Sequence, residues 1–177
     1  MKLVILDRDG VINYDSPSYI KRPEEWKPIP GSLEAIARLN QSGYHVVVAS
    51  NQSGIGRGLF DMATLNAIHD KMHRALGQVG GRIDAIFFCP HADDAGCRCR
   101  KPRSGLLEEI SHRFNMNLRD VPCVGDAQRD LEAAAAVGAQ PVLVLSGKGE
   151  KTRQAGAMPP RTLVFADLAE AVNALLQ

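Results

Sequence analysis

The residues able to do chemistry stand in a few short clusters. Asp7-Arg8-Asp9-Gly10 places two carboxylates two positions apart, directly after the apolar run Leu3–Leu6. Residues two apart leaving a strand project to the same side. The two carboxylates therefore meet, and each raises the other's pKa unless a cation intervenes. Such a pair suits a divalent metal, or a nucleophile beside a general acid; a solvated turn is the ordinary alternative. Ser50-Asn51-Gln52-Ser53 follows a second apolar run and offers hydroxyl and amide donors for phosphate oxygens, although turn capping uses the same residue types. In Arg100-Lys101-Pro102 the lysine is either a surface charge or a phosphate clamp. Gly125-Asp126-Ala127-Gln128-Arg129-Asp130 supplies two more carboxylates. Both could simply favour a helix dipole, and Asp126 could instead complete a metal site.

Cys89, His91, Cys97 and Cys99 fall within eleven residues. Three thiolates and an imidazole form a closed, tetrahedral set for structural zinc. The spacing is not that of paired C-x-x-C knuckles, but four candidate ligands in one loop outweigh this, and in a reducing compartment such clustering points to metal before disulfide. A loop so poor in apolar residues cannot fold around a core of its own. The reading is a structural zinc that fixes the loop and so places Arg100 and Lys101, without a chemical part of its own. Cys123, inside a Val-rich run, reads as core.

These clusters need elements to hold them. Short, continuously apolar runs at Leu3–Leu6, Tyr44–Ala49, Ile83–Phe88, Val121–Val124, Pro141–Leu145 and, more weakly, Thr162–Phe165 read as strands covered on both faces. Helical patterns alternate with them. Ser32 is placed as the N-cap of the first, which Gly43 ends; Asp61, Ser104, Asp130 and Asp167 mark the starts of the others. The segments Pro17–Pro30 and Gly147–Pro160 read as loops. Strict alternation predicts an α/β fold, a mainly parallel sheet between two helical layers. Ligands of such sheets bind at the carboxyl ends of the strands, where the clusters stand.

The chain has 177 residues, 45% of them hydrophobic and 23% charged, and 21 Lys+Arg against 20 Asp+Glu give a net charge of +1. This length predicts one domain, residues 1–177. The charge balance argues against a nucleic-acid partner, whose binding rests on many phosphate contacts. The apolar run near the start is too short for a signal peptide and no stretch suits a membrane span, so a cytoplasmic location is expected. No heptads suggest an oligomer, and a monomer is expected. Gly54-Ile55-Gly56-Arg57-Gly58 lacks both the place and the spacing of a dinucleotide fingerprint and reads as a substrate loop. His69 and His73 stand four apart on a helix without the H-E-x-x-H pattern and read as solvent-exposed; His45 and His112 have no supporting partners.

Taken in order, a D-x-D-G after the first strand, Ser50-Asn51 after the second, Lys101 after the third and G-D-x-x-x-D at Gly125–Asp130 after the fourth resemble the haloacid-dehalogenase (HAD) superfamily of phosphatases. The likeness runs the length of the chain. It implies a three-layer, Rossmann-like HAD core and an aspartyl-phosphate mechanism. In it Asp7 is the nucleophile, Asp9 the general acid and base, and Ser50 and Lys101 hold the phosphoryl oxygens. Mg²⁺ binds Asp7, the Asp9 backbone carbonyl and Asp126, and Asp130 supports Lys101 or the metal.

The C-x-H-x₅-C-x-C loop, with D-R-D-G-V-I-N at Asp7–Asn13, the Tyr19/Pro23/Glu24 segment, S-N-Q-S-G-I-G-R-G at 50–58 and C-R-C-R-K-P at 97–102, is similar to the histidinol-phosphatase-related branch. The gap from His91 to Cys97 is short for that branch, which puts the loop's outer wall in doubt. The resemblance implies a sugar bisphosphate substrate, with a sugar 1-phosphate left for surface-glycan precursors. Histidinol phosphate remains the alternative substrate, and a phosphorylatable receiver or binding module the alternative class.

About 40 residues separate Asp9 from Ser50 and about 50 separate Ser50 from Lys101, too few for a large cap domain beside the expected elements. Loops must then choose the substrate. Asp15, Ser16, Ser18 and Tyr19 are candidates for sugar hydroxyls, Asn51, Gln52 and Ser53 for further polar contacts, and Arg100 for the phosphate that does not react.

Overall fold

The computed structural model describes residues Met1–Gln177. Six strands, β1 (Lys2–Leu6), β2 (Tyr44–Asn51), β3 (Ala85–Cys89), β4 (Pro122–Gly125), β5 (Gln140–Val144) and β6 (Leu163–Phe165), form one sheet in the order β3-β2-β1-β4-β5-β6, and every pairing is parallel. The helices are α1 (Ser32–Gln41), α2 (Met62–Gln78), α3 (Gly105–Phe114), α4 (Gln128–Ala136), α5 (Gly149–Ala155) and α6 (Leu168–Leu175).

The unbroken apolar runs are explained by the two-sided burial. On β1, Val4 and Leu6 enter one core with Ile36 of α1, Ile68 and Met72 of α2 and Val172 of α6. Leu3 and Ile5 enter the other with Leu106 and Ile110 of α3 and Ala133 of α4. Successive residues face opposite sides, so a central strand of a parallel sheet must be apolar throughout. The two cores make the three layers. No cap covers the strand ends: the β1–α1 and β2–α2 connections are loops, with one short 3₁₀ turn at Pro23–Glu25.

Several expectations change. Ser32 does not cap α1. Gly31, in the left-handed region at φ 87°, holds that position, and the Ser32 hydroxyl donates to the Val11 carbonyl at 2.9 Å. Gly147–Pro160 is not all loop but contains α5, a helix in which Gly149 and Thr152 alone are buried. Asp61 and Asp167 cap α2 and α6, accepting from the backbone N–H of Thr64 and Glu170. No helix is long and apolar enough to cross a membrane.

Candidate active site

The strand order reverses between β1 and β4, the switch point at which doubly wound sheets bind ligands. A cavity of about 300 Å³ opens there, lined by Asp7, Asp9, Ser50, Asn51, Ser53, Asp126 and Asp130 on the sheet side. Its rim carries Asp15, Ser16, Tyr19, Arg57, Asp93, Arg100, Arg129 and Lys148.

Asp7 directly follows β1. Its Oδ1 accepts from the Arg8 backbone N–H at 2.9 Å and lies 3.4 Å from Lys101 Nζ. Lys101 is 5% exposed and donates to Asp130 Oδ1 at 2.8 Å and to the Ala49 carbonyl at 2.6 Å. Asn51 fixes the lysine's backbone from both sides, accepting from its N–H at 3.0 Å and donating to its carbonyl at 3.2 Å. Asp130 does two things at once. Its Oδ1 meets Lys101, and its Oδ2 accepts from the N–H groups of Asp126 and Ala127 at the start of α4, the reach-back of a capping box. Both oxygens are taken, so Asp130 supports the lysine and the turn.

Gly10 is required at its place. It has φ 87°, and a Cβ there would collide with the Asp126 carboxylate. A Cβ on Gly147 would meet the same Asp126 oxygen and Gly10 as well, so two adjacent glycines let backbone pack against Asp126. The Lys148 N–H donates to Asp126 Oδ2 at 2.9 Å, and Thr152 Oγ1 to the Asp126 carbonyl at 2.8 Å. The unforeseen α5 therefore serves to hold Asp126.

The charges here strain against one another. Burial, then the neighbouring Asp130, pushes Asp7 up to about 7 despite Lys101. Burial, then Asp7, pushes Asp126 up to about 8. Asp9 goes the other way: burial works against its charge, but the Arg8 guanidinium and the Asn13 amide outweigh burial and lower it. Lys101 is raised to about 12; burial alone would lower it, and Asp130 and Asp7 more than reverse that. Carboxylate oxygens of Asp7, Asp126 and Asp130 lie within 4.8 Å of one another. Despite its burial, Asp130 is held in its charged form by Lys101, whereas Asp7 and Asp126 are hard oxygen donors that cannot comfortably carry their charge, and they fit a divalent cation.

The cysteine loop also gathers as its composition suggests. Cys89, His91, Cys97 and Cys99 present ligand atoms all within 4.8 Å of one another. Cys89 Sγ stands 3.4 Å from His91 Nδ1 and 3.6 Å from Cys97 Sγ, and His91 Nδ1 is 3.3 Å from Cys99 Sγ. A tetrahedron with Zn–S of ~2.3 Å and Zn–N of ~2.0 Å places such atoms roughly 3.5–3.8 Å apart, so the donor set and its spacing fit zinc.

Other sequence-derived candidates divide. Asp15, Ser16, Tyr19, Asn51, Ser53 and Arg100 line the cavity. Tyr19 takes φ 68°, an outlier for a bulky residue, and the Arg57 guanidinium stands 6.0 Å from the centre of its ring. Ser18 is exposed and outside the lining, with its N–H on Ser16 Oγ. Gln52 is buried behind the cavity between Arg8 and Ser50. Arg100 is bound to Asp93 at 2.9 Å, as is Arg57 at 3.0 Å. The cavity is also lined by Arg57, from the segment that reads as a substrate loop, and by Arg129 and Lys148, which the sequence motifs do not mark as site residues. Their signal was available, since each is a cation in or beside a motif after a strand end. His69 is a correction: it is 8% exposed, and its Nε2 lies 3.1 Å from Arg8 Nη1.

Residues 98–171 match the HAD-hydrolase-like family model. With this match, this fold and relatives alike over the full length, the chain belongs to the HAD-like phosphatase family. It is 58% identical, over 100% of its length and 99% of the other's, to the D-glycero-β-D-manno-heptose-1,7-bisphosphate 7-phosphatase of Bordetella bronchiseptica. The Pseudomonas putida protein of the same name is 54% identical over 99% of this chain and 100% of its own. Among solved structures, the D,D-heptose 1,7-bisphosphate phosphatase of B. bronchiseptica complexed with magnesium and phosphate matches with a TM-score of 0.99 at 58% identity, covering 100% of this chain and 99% of that one.

Proposed function

We infer that the chain is a Mg²⁺-dependent phosphomonoesterase. It removes the C7 phosphate of D-glycero-β-D-manno-heptose 1,7-bisphosphate and releases the heptose 1-phosphate. The observation that carries this reading is the convergence of Asp7, Asp9, Ser50 and Asp126 on one cavity with a cationic rim, with the buried Lys101 3.4 Å from Asp7, in a chain so alike to enzymes of that name. The β-anomer is taken from those relatives' names. They give no support to histidinol phosphate.

An Asp7 carboxylate oxygen attacks phosphorus in line, and the bond from phosphorus to the sugar oxygen breaks. Asp9 gives that oxygen its proton. The resulting aspartyl-phosphate is attacked by water, whose proton Asp9 takes, and phosphate and free Asp7 are restored. Ser50 and Lys101 hold the phosphoryl oxygens and offset their charge. Mg²⁺ would be held by Asp7, Asp126 and the Asp9 backbone carbonyl and would neutralise charge on the phosphoryl group. Zinc would be held by Cys89, His91, Cys97 and Cys99, away from the reacting atoms. Every group comes from one chain, so the reading needs no more than a monomer. Neither nucleic acid nor membrane has a part in it.

Arg100 is proposed to meet the phosphate that stays on the sugar. One nitrogen, Nη1, is buried with no partner, and Asp93 on the other is exposed and able to yield. Arg100→Ala is expected to raise KM for the bisphosphate about tenfold or more, the scale of one charge-assisted hydrogen bond. The change for a sugar monophosphate should be under about twofold, given the same cost per contact. Equal changes in steady-state assays of the two substrates would remove Arg100 from that role.

A further inference from the structure

Behind the cavity runs a buried polar chain that the reaction as described does not use. Arg8 lies between the two aspartates, is 0% exposed and does not line the cavity. A guanidinium so placed costs several kcal/mol unless its N–H groups find acceptors. It finds three. Nε donates to Asp9 Oδ1 at 2.8 Å, Nη1 to His69 Nε2 at 3.1 Å and Nη2 to Gln52 Oε1 at 3.4 Å.

Arginine can only donate. His69 must therefore present a bare Nε2, with its proton on Nδ1. Burial, and then Arg8, holds His69 neutral by pushing it down to about 3. The Gln52 amide passes the order on, its Nε2 donating to Ser50 Oγ at 2.8 Å. The Ser50 oxygen is thus served from behind, while its own hydroxyl makes only a long contact, 3.5 Å to the Asn51 carbonyl, that a ligand oxygen can replace. On Asp9, Arg8 and Asn13 both donate to Oδ1 and favour the charged form, so Oδ2 is the oxygen through which a proton passes in the reaction.

We propose that His69, on α2, is a positioning residue for phosphoryl transfer: it anchors Arg8, which fixes the Asp9 carboxylate and, through Gln52, the Ser50 hydroxyl. The inference rests on the reading of Asp9 as general acid. A misplaced acid hurts a poor leaving group far more than a good one, because only the poor one needs its oxygen protonated. A merely structural role would lower both alike.

The test compares kcat/KM for the heptose bisphosphate, whose leaving group is an alkoxide, with that for p-nitrophenyl phosphate. His69→Leu fills the space without accepting a hydrogen bond; His69→Gln restores an acceptor oxygen. His69→Leu is expected to lose about 10- to 100-fold on the sugar, the scale of a small displacement of a catalytic group. On the aryl phosphate it should lose only a few-fold by the same reasoning, with KM for the sugar little changed. His69→Gln should recover most of the loss. Where His69→Leu does not fold, His69→Ala, which admits water, takes its place. Asp9→Asn is the reference and should show the same bias more deeply. Equal losses on both substrates in the His69 variant, with the bias present in Asp9→Asn, would overturn the role of His69 alone, as would a glutamine no better than leucine. Absence of the bias in Asp9→Asn would overturn the reading of Asp9 and this inference with it.

Discussion

Asp7→Asn is expected to abolish turnover and yet to give a folded protein, more stable than the parent in metal-free buffer. The amide has nearly the shape of the carboxylate and can still accept at Oδ1 from the Arg8 N–H. It cannot attack phosphorus as a carboxylate does. Removing a nucleophile of this kind costs at least about 10⁴-fold in kcat. The stability gain comes from charge. Burial and Asp130 raise Asp7 to about 7, so the folded state holds a proton that the unfolded state gives up near pH 4. A raised carboxylate burdens the fold little below pH 4, where both states are protonated. The burden grows with pH and is complete above about 7. The gain in melting temperature should thus be small at pH 4.5 and reach several degrees at pH 8.5. Mg²⁺ should narrow it, because the parent gains a counter-charge for Asp7 and Asp126. Thermal unfolding in chelator and in Mg²⁺, with phosphate release on the same samples, checks both halves. A residual kcat above about 1% would deprive Asp7 of its role, since no nucleophile loss is that mild.

The second large effect belongs to the cysteine loop. Stripping zinc, or Cys97→Ser, is expected to lower the melting temperature by about 10 °C or more, as the loss of a few kcal/mol does in a chain of this size. Between Cys89 and Arg100 most of the segment is exposed and only the cysteines reach a core; apart from them it is held by backbone bonds at Pro90 and Arg98 and by exposed arginine contacts at Asp93 and Cys97. Lys101 follows directly, but it has a second anchor in Asn51 and a third in Asp130. Activity should therefore fall less than it would on deleting a charged phosphoryl contact, itself about 10²–10³-fold. A loss of about 10- to 100-fold in kcat/KM is expected, the scale for disturbing groups that orient a site. Metal analysis of the purified protein alongside both measurements decides the matter. A zinc-free protein with a full melting temperature and full activity would contradict the assignment.

What the sequence shows and hides follows from distance along the chain. The Cys/His cluster is legible because its four side chains lie in one loop. The sheet is legible because burial on both faces leaves apolar runs that stand out without alternation. The α1 cap misleads because Ser32 is drawn to Val11, a partner 21 residues away, while a glycine supplies the turn. Helix α5 escapes because its polar sequence has almost no buried face. His69 reads as exposed because its reason for burial is Arg8, 61 residues distant. The same holds for Gln52, a polar residue at a strand end whose neighbours turn it from the cavity to Arg8 and Ser50.

The most direct measurement of the central reading is the product formed from D-glycero-β-D-manno-heptose 1,7-bisphosphate with Mg²⁺, followed by ³¹P NMR, with histidinol phosphate assayed in parallel. The expected result is loss of the C7 phosphomonoester signal with the anomeric phosphate intact, and a kcat/KM far above that for histidinol phosphate. Release of the anomeric phosphate first, or a higher kcat/KM for histidinol phosphate, would contradict it.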